Sequence, residues 1–98
     1  MTQVTITLDS PAKLLGVFLH RPGDAEPEPL AGVAHSVKRE LADGTYHVSV
    51  AGTGLQPATP VDITFATEAD AETRGGRVGP SGTIALFKQF DLSNGNVR

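Results

Sequence analysis

Apolar and polar residues alternate on both sides of an Asp-Gly pair at positions 43 and 44, and this pattern is typical of β-strands on either side of a turn. Asp-Gly is a preferred pair for two-residue hairpin turns because both residues tolerate a positive φ angle. A turn there pairs residues 36–42 with residues 45–51. One face of the pair is then mostly apolar and the other polar. The pattern predicts a β-hairpin, with His47 opposite Glu40 as a surface pair.

Three further segments show the same period of two, namely residues 4–8, 61–67 and 83–92. Each puts branched or aromatic side chains on one face, which is typical of half-buried strands. Residues 13–20 are apolar on both faces and predict a strand that is either interior or covered. Together these segments predict an all-β fold, an antiparallel β-sandwich of about six to seven strands in a single domain, residues 1–98.

Residues 30–41 admit two interpretations. Val33, Val37 and Leu41 are spaced as on one face of a helix, whereas the hairpin register requires a strand. Gly32 and the valines disfavour a helix, so the strand is the preferred interpretation. The last residues, 93–98, are interpreted as a polar tail.

The stretch Leu41-x-Asp43-Gly44-x-Tyr46-x-Val48 resembles a segment of immunoglobulin-like sandwiches in which a tyrosine closes the corner between two sheets. The same short pattern occurs in bacterial surface modules with immunoglobulin-like or prealbumin-like folds. The resemblance implies a sandwich of that kind, with the Tyr46 hydroxyl bonding backward to main chain. Val48 stands where antibody-type domains carry their second cysteine. The resemblance carries over no functional residue.

Composition excludes several classes of function. The chain has no cysteine, which excludes disulfides and thiolate metal sites. Its 8 basic and 11 acidic residues give a net charge of −3, and the basic residues are not clustered, which argues against nucleic acid and anionic membranes as partners. Residues 1–5 lack a signal-peptide pattern, and no apolar run approaches the roughly 20 residues of a membrane span, so localisation is left open.

Two acidic loops are candidate calcium sites. Residues 21–29 contain Asp24, Glu26 and Glu28, and residues 68–82 contain Glu68, Asp70 and Glu72. Calcium prefers several carboxylate oxygens, but calcium loops usually add a sharp glycine turn and a bidentate acid. In the first loop Pro27 lies between Glu26 and Glu28 and holds these two acids apart. Solvated loops are the preferred interpretation, and no metal or cofactor is predicted.

The second of these loops is long for a compact domain, and long loops are often functional. Its second half is glycine-rich and basic, and supplies Arg74, Arg77 and Val78 as candidate partner-binding residues. The run lacks the Gly-Lys-Ser/Thr ending of a phosphate cradle and leads into a predicted strand.

A second candidate surface is apolar. The alternation in residues 83–92 puts Phe87 on the face opposite the predicted core. Together with Phe18 and the second apolar face of residues 13–20, it predicts a patch for self-association or for a protein partner. The alternative is that a loop covers this patch.

Catalytic patterns are not evident in the sequence. His35 and His47 fall on opposite faces of the predicted hairpin, and no serine or threonine lies in a nucleophile motif. The sequence predicts a non-catalytic protein-interaction or self-assembly module, such as a structural subunit, an adaptor or an inhibitor-like domain. The alternative is a carbohydrate-binding, lectin-like module that uses the loops 21–29 and 68–82. The absence of tryptophan favours the first class.

Overall fold

The structure of the chain, a computed structural model, describes residues 1–11, 16–23, 25–30 and 36–98. These residues form nine strands and no helix, and thus contain no helix long and apolar enough to cross a membrane. The strands are β1 (Thr2–Asp9), β2 (Gly16–His20), β3 (Glu28–Pro29), β4 (Ser36–Leu41), β5 (Gly44–Gly52), β6 (Pro60–Ala66), β7 (Ala71–Arg77), β8 (Ile84–Ser93) and β9 (Asn96–Val97).

The strands form two antiparallel sheets that pack face to face. One sheet has the order β4-β1-β6-β7 and the other the order β3-β2-β5-β8-β9. The inward side chains of both sheets form one apolar core, with Val4, Ile6, Val48, Phe65 and Phe90 at its most buried positions. The predicted all-β antiparallel sandwich is therefore confirmed. The sequence predicted about six to seven strands; of the nine observed, seven have five or more residues.

The predicted hairpin at positions 43 and 44 is wrong. Strand β4 pairs with β1, with Thr2 opposite Leu41, whereas β5 lies in the other sheet between β2 and β8. Alternation alone does not choose between these arrangements, because β4 and β5 point their apolar faces at the same core from opposite sides.

The chain turns a corner between the two sheets at this point. The Tyr46 hydroxyl donates a hydrogen bond of 2.6 Å to the Ala42 carbonyl, across the link from β4 to β5. The Tyr46 ring is buried beneath this bond. This is the backward bond that the resemblance to immunoglobulin-like sandwiches implied, whereas membership of such a family stays a prediction.

The predicted loop at residues 68–82 is also wrong, because residues 71–77 form β7 and pair with β6 along their whole length. The glycines of this segment serve close packing. A Cβ atom on Gly75 would lie 2.0 Å from Asp62 Oδ1, and one on Gly76 would lie 2.5 Å from Leu86 Cδ2. Glycine inside a strand often marks such a close approach.

The polar tail predicted at residues 93–98 is a hairpin instead. Asn94 and Gly95 have φ angles of 50° and 82°, which a two-residue hairpin turn requires. The turn brings β9 back along β8, and Val97 is buried. Asn-Gly is a strong hairpin signal, but only two residues after it form the short strand β9, so the sequence there was interpreted as a tail.

The ambiguity over residues 30–41 is settled for the described part, since residues 36–41 are strand β4. Val33 and His35 lie outside the described residues, as do Asp24 and residues 12–15 of the predicted strand 13–20. The rest of that strand is β2, which lies inside its sheet between β3 and β5.

An ion-pair cluster links the two sheets at one side. Glu28 of β3 contacts Arg21 at 2.6 Å and Arg39 of β4 at 2.9 Å. Partial burial raises the pKa of Glu28, but the hydrogen bonds and charges of Arg39 and Arg21 outweigh this effect and hold the pKa below its ordinary value. The ionised carboxylate is therefore favoured in the folded state.

We expect Glu28→Gln to lower the free energy of unfolding by about 0.5–1 kcal/mol at neutral pH, as is typical of partly exposed ion pairs. Because the folded-state pKa is depressed, this contribution is present above the ordinary glutamate pKa and is lost as the pH falls through the folded-state value. Urea denaturation of both proteins at about pH 7 and about pH 3 measures the difference. A difference that does not shrink in acid would contradict the role of the ionised carboxylate.

The outermost strands of the two sheets are protected in different ways. Strands β3 and β9 have two residues each. Strand β4 carries consecutive charges at Lys38, Arg39 and Glu40. Strand β7 carries Arg74 and Arg77 beside its two glycines and leans toward β8. Short edges and charged edges both discourage pairing with another chain.

Candidate protein-binding face

The side of the five-stranded sheet that faces away from the core carries an unusual cluster. Strands β2, β5 and β8 present it, and we call it the outer face, defined by Phe18, His20, His47, Ser49 and Phe87. In the sheet register His20 lies opposite His47, and Phe18, Ser49 and Phe87 form the neighbouring row across three strands. Period-two alternation puts all five side chains on one side.

Phe87 is exposed and yet held in place. Its side chain is 60% exposed, and only Met1 is a comparably exposed large apolar residue in the part of the chain that the structure describes. The Phe87 ring stacks on the His47 ring with centroids 4.6 Å apart, and meets the His20 ring edge to face at 5.1 Å. Such ring pairs are favourable and restrict side-chain motion. The exposure of Phe87 predicted from alternation is confirmed.

Phe18 lies on the same face as Phe87, on the other side of Ser49. It is half-buried, and its ring lies 3.4 Å from where a Cβ atom on Gly16 would be. The structure therefore brings together the two aromatic residues that the sequence singled out. Their role in binding stays a prediction.

Ser49 and His20 form a close polar pair, with 2.9 Å between His20 Nε2 and Ser49 Oγ. A serine hydroxyl beside an imidazole is a possible nucleophile and base. Acyl transfer also needs donors aimed at an oxyanion, usually in a cleft. Ser49 instead lies on an open sheet, in a strand paired on both sides. The hydrogen bond fixes the orientation of the His20 ring.

The candidate residues Arg74 and Arg77 of β7, and Val78 directly after it, lie away from the outer face. The guanidinium of Arg74 lies over the Phe90 ring, 4.6 Å from its centroid. Arg77 donates a 3.1 Å hydrogen bond to the Ala58 carbonyl, and Val78 is buried in the core. All three residues thus have contacts within the molecule, and their binding role stays a prediction.

The calcium candidates do not converge in the described residues, where no three histidine, aspartate or glutamate side chains are placed to hold one metal ion. Glu26 and Glu68 are exposed. Asp70 accepts hydrogen bonds from the amides of Ala71 at 2.8 Å and Val97 at 3.0 Å. Both Asp70 oxygens therefore hold the β6–β7 turn and strand β9 in place.

A shallow groove of about 450 Å³ lies at one end of the sandwich, lined by Met1, Gln3, Glu40, Thr67 and Glu68 among others. Small-molecule sites generally combine apolar walls with a few convergent polar groups. Here the Thr67 hydroxyl donates a hydrogen bond to the Gly95 carbonyl and accepts one from the Asp70 amide. Its hydrogen bonds are thus made within the protein and not to a ligand in the groove. The groove is a less developed site than the outer face.

The fold and the outer face define a two-sheet β-sandwich with an outward-facing cluster of aromatic and imidazole side chains on one sheet. Comparison of the chain with protein-family models, with curated proteins and with solved structures finds no match. Assignment of a role therefore rests on the chemistry of the outer face.

The sequence reasoning missed the pairing of His20 with His47. Two signals were present, since Phe18 and His20 are two residues apart in one strand, as are His47 and Ser49 in another. Each spacing puts both members of a pair on one face. The register that brings the two strands together was not readable, because they are distant in the chain and no short turn connects them.

Proposed function

We propose that this protein is a non-catalytic, self-associating module that binds a second copy of itself through the outer face. The observation that carries the proposal is Phe87, a large apolar side chain that is 60% exposed and pre-oriented by two imidazole rings. A rigid exposed aromatic residue is a typical centre of a protein interface, because little side-chain entropy is lost when it is buried.

The charge distribution supports a second copy as the partner. The described outward positions of β2, β5 and β8 carry no lysine, arginine or glutamate. Their one carboxylate, Asp91, is at the end of the face and accepts a hydrogen bond of 2.8 Å from Thr45. Identical surfaces repel each other when they carry net charge. Because the one carboxylate lies at the end of the face, two outer faces can approach with little of that repulsion although the chain has a net charge of −3.

The size of the face limits the strength of the association. Three strands about 4.8 Å apart, over five residues of about 3.3 Å each, cover roughly 14 by 17 Å. This corresponds to roughly 240 Å² of flat area, whereas a stable interface buries about 800 Å² on each partner. We therefore expect a weak dimer that depends on protein concentration.

The test is to replace Phe87 by Lys, which introduces a positive charge at the centre of the proposed interface. The wild-type mass measured by light scattering is expected to rise toward that of a dimer with increasing concentration, and Phe87→Lys is expected to remain monomeric. Thr73→Lys is the matched control, because Thr73 is exposed on the outward side of the other sheet. A folded Phe87→Lys protein with the same mass profile as the wild type would overturn the proposal.

A further inference from the structure

We propose that His20 and His47 form a divalent transition-metal site, and that one ion joins the histidine pairs of two copies of the chain. The inference rests on the proposed self-association and adds the ligand that stabilises it. The two residues lie directly opposite each other on adjacent antiparallel strands. Cβ atoms at such positions are about 4.5–5.5 Å apart, which lets two side chains reach a common point above the sheet.

Imidazole nitrogen is the donor type that suits zinc, nickel and copper ions. Zinc binds about 2.0–2.1 Å from such nitrogens and prefers four ligands in a tetrahedron. One chain supplies two ligands, and the described residues contain no group of three side chains that would complete the set. A second copy facing the first supplies two more, and the site is then complete only in the dimer.

The surroundings of the two rings favour this role. The His20 Nε2 atom is hydrogen-bonded to the Ser49 hydroxyl, which leaves Nδ1 as the ring nitrogen that can bind an ion. Phe87 contacts both rings through its own ring, which holds them without occupying their nitrogens in hydrogen bonds. At the described outward positions of β2, β5 and β8 there is no lysine or arginine, so no fixed positive charge on this face repels a cation.

A metal ion would also strengthen a dimer interface that buries little surface area. The flat area of the outer face is well below what a stable dimer needs. Ligands from both chains on a single ion add a strong, directional interaction that requires little surface. We therefore expect zinc to strengthen the dimer and the dimer to strengthen zinc binding, since the two equilibria are linked.

The experiment combines zinc titration by calorimetry with light scattering, in buffer with zinc and in buffer with EDTA. We expect one zinc ion per two chains and at least a tenfold tighter dimer in zinc than in EDTA. His20→Ala and His47→Ala are each expected to weaken zinc binding by about tenfold or more, because loss of even an outer hydrogen-bonding partner of a metal ligand costs 10–100-fold. Gln89→Ala, which changes the neighbour of His47 on the same face, is the control.

The outcomes separate the two proposals. Equal dimerisation in zinc and in EDTA, abolished by Phe87→Lys, would overturn the metal site and keep the self-association. Zinc binding that is unchanged in both histidine variants would also overturn the site. Zinc bound to a chain that stays monomeric at all concentrations would overturn the bridging role and the self-association together.

Discussion

Replacing Phe90 by Ala is expected to lower the free energy of unfolding by about 3–5 kcal/mol. Phe90 is fully buried, and its ring stacks on that of Phe65 with centroids 5.0 Å apart and an interplanar angle of 13°. Phe65 belongs to β6 of the other sheet, so this pair joins the two halves of the sandwich. The truncation also removes the ring beneath the Arg74 guanidinium.

The matched control is Phe87→Ala, three residues earlier in the same strand. Phe87 is mostly exposed, and its loss removes ring contacts to His47 and His20 on the outer face. We expect a cost of about 1 kcal/mol or less. Urea denaturation followed by circular dichroism measures both variants. Similar costs for the two substitutions would mean that the Phe65–Phe90 stack does not hold the sheets together.

The second large effect is expected for Gly75→Val, at about 2–3 kcal/mol of destabilisation. A Cβ atom at this position would lie 2.0 Å from Asp62 Oδ1 and 2.8 Å from the Val61 carbonyl oxygen. The carboxylate can move away, but the carbonyl belongs to the backbone of β6, which pairs with β7 here. The substitution therefore forces the two strands apart.

Ala71→Val introduces the same side chain on the same strand and face, at an exposed position. We expect it to change the free energy of unfolding by no more than about 0.5 kcal/mol, since valine suits an exposed strand position. The comparison also tests the secondary structure, because a mobile loop at residues 68–82 would accept valine at either position. Equal effects of Gly75→Val and Ala71→Val would contradict the close approach of β7 to β6.

Local structure was largely readable from the sequence, whereas strand pairing was not. The alternation in residues 4–8, 61–67 and 83–92 predicted which side chains enter the core, and Phe65 and Phe90 lie there. The partner of each strand depends on the register between distant segments. Any strand with one apolar face can bury that face in the core, whichever strand it pairs with. The sequence around positions 43 and 44 is therefore compatible with a hairpin within one sheet and with a corner between two sheets.

The wrong predictions at residues 43–44 and 68–82 share a physical cause. Residues that are typical of turns, such as glycine and aspartate, also occur inside strands and at corners between sheets. Glycine at Gly75 permits a close approach of strands, although in sequence it resembles a flexible loop. Asp43 and Gly44 lie at a corner between the two sheets, where the Tyr46 hydroxyl donates a hydrogen bond to the Ala42 carbonyl. This hydrogen bond was predicted only by the resemblance of residues 41–48 to immunoglobulin-like sandwiches. One part of the site was predicted, because the alternation in residues 83–92 indicated that Phe87 points away from the core. The position of His20 opposite His47 was not predicted, because it depends on the pairing of β2 with β5.

The protected edges of the two sheets determine what kind of assembly the chain is able to form. Pairing of strand edges between molecules repeats without limit and produces fibres. Here the described edges are two residues long at β3 and β9 and charged at β4, so growth in that direction is opposed. Contact through a sheet face related by a two-fold axis uses the same patch on both copies and leaves no free patch behind. The proposed association through the outer face is therefore expected to end at two chains.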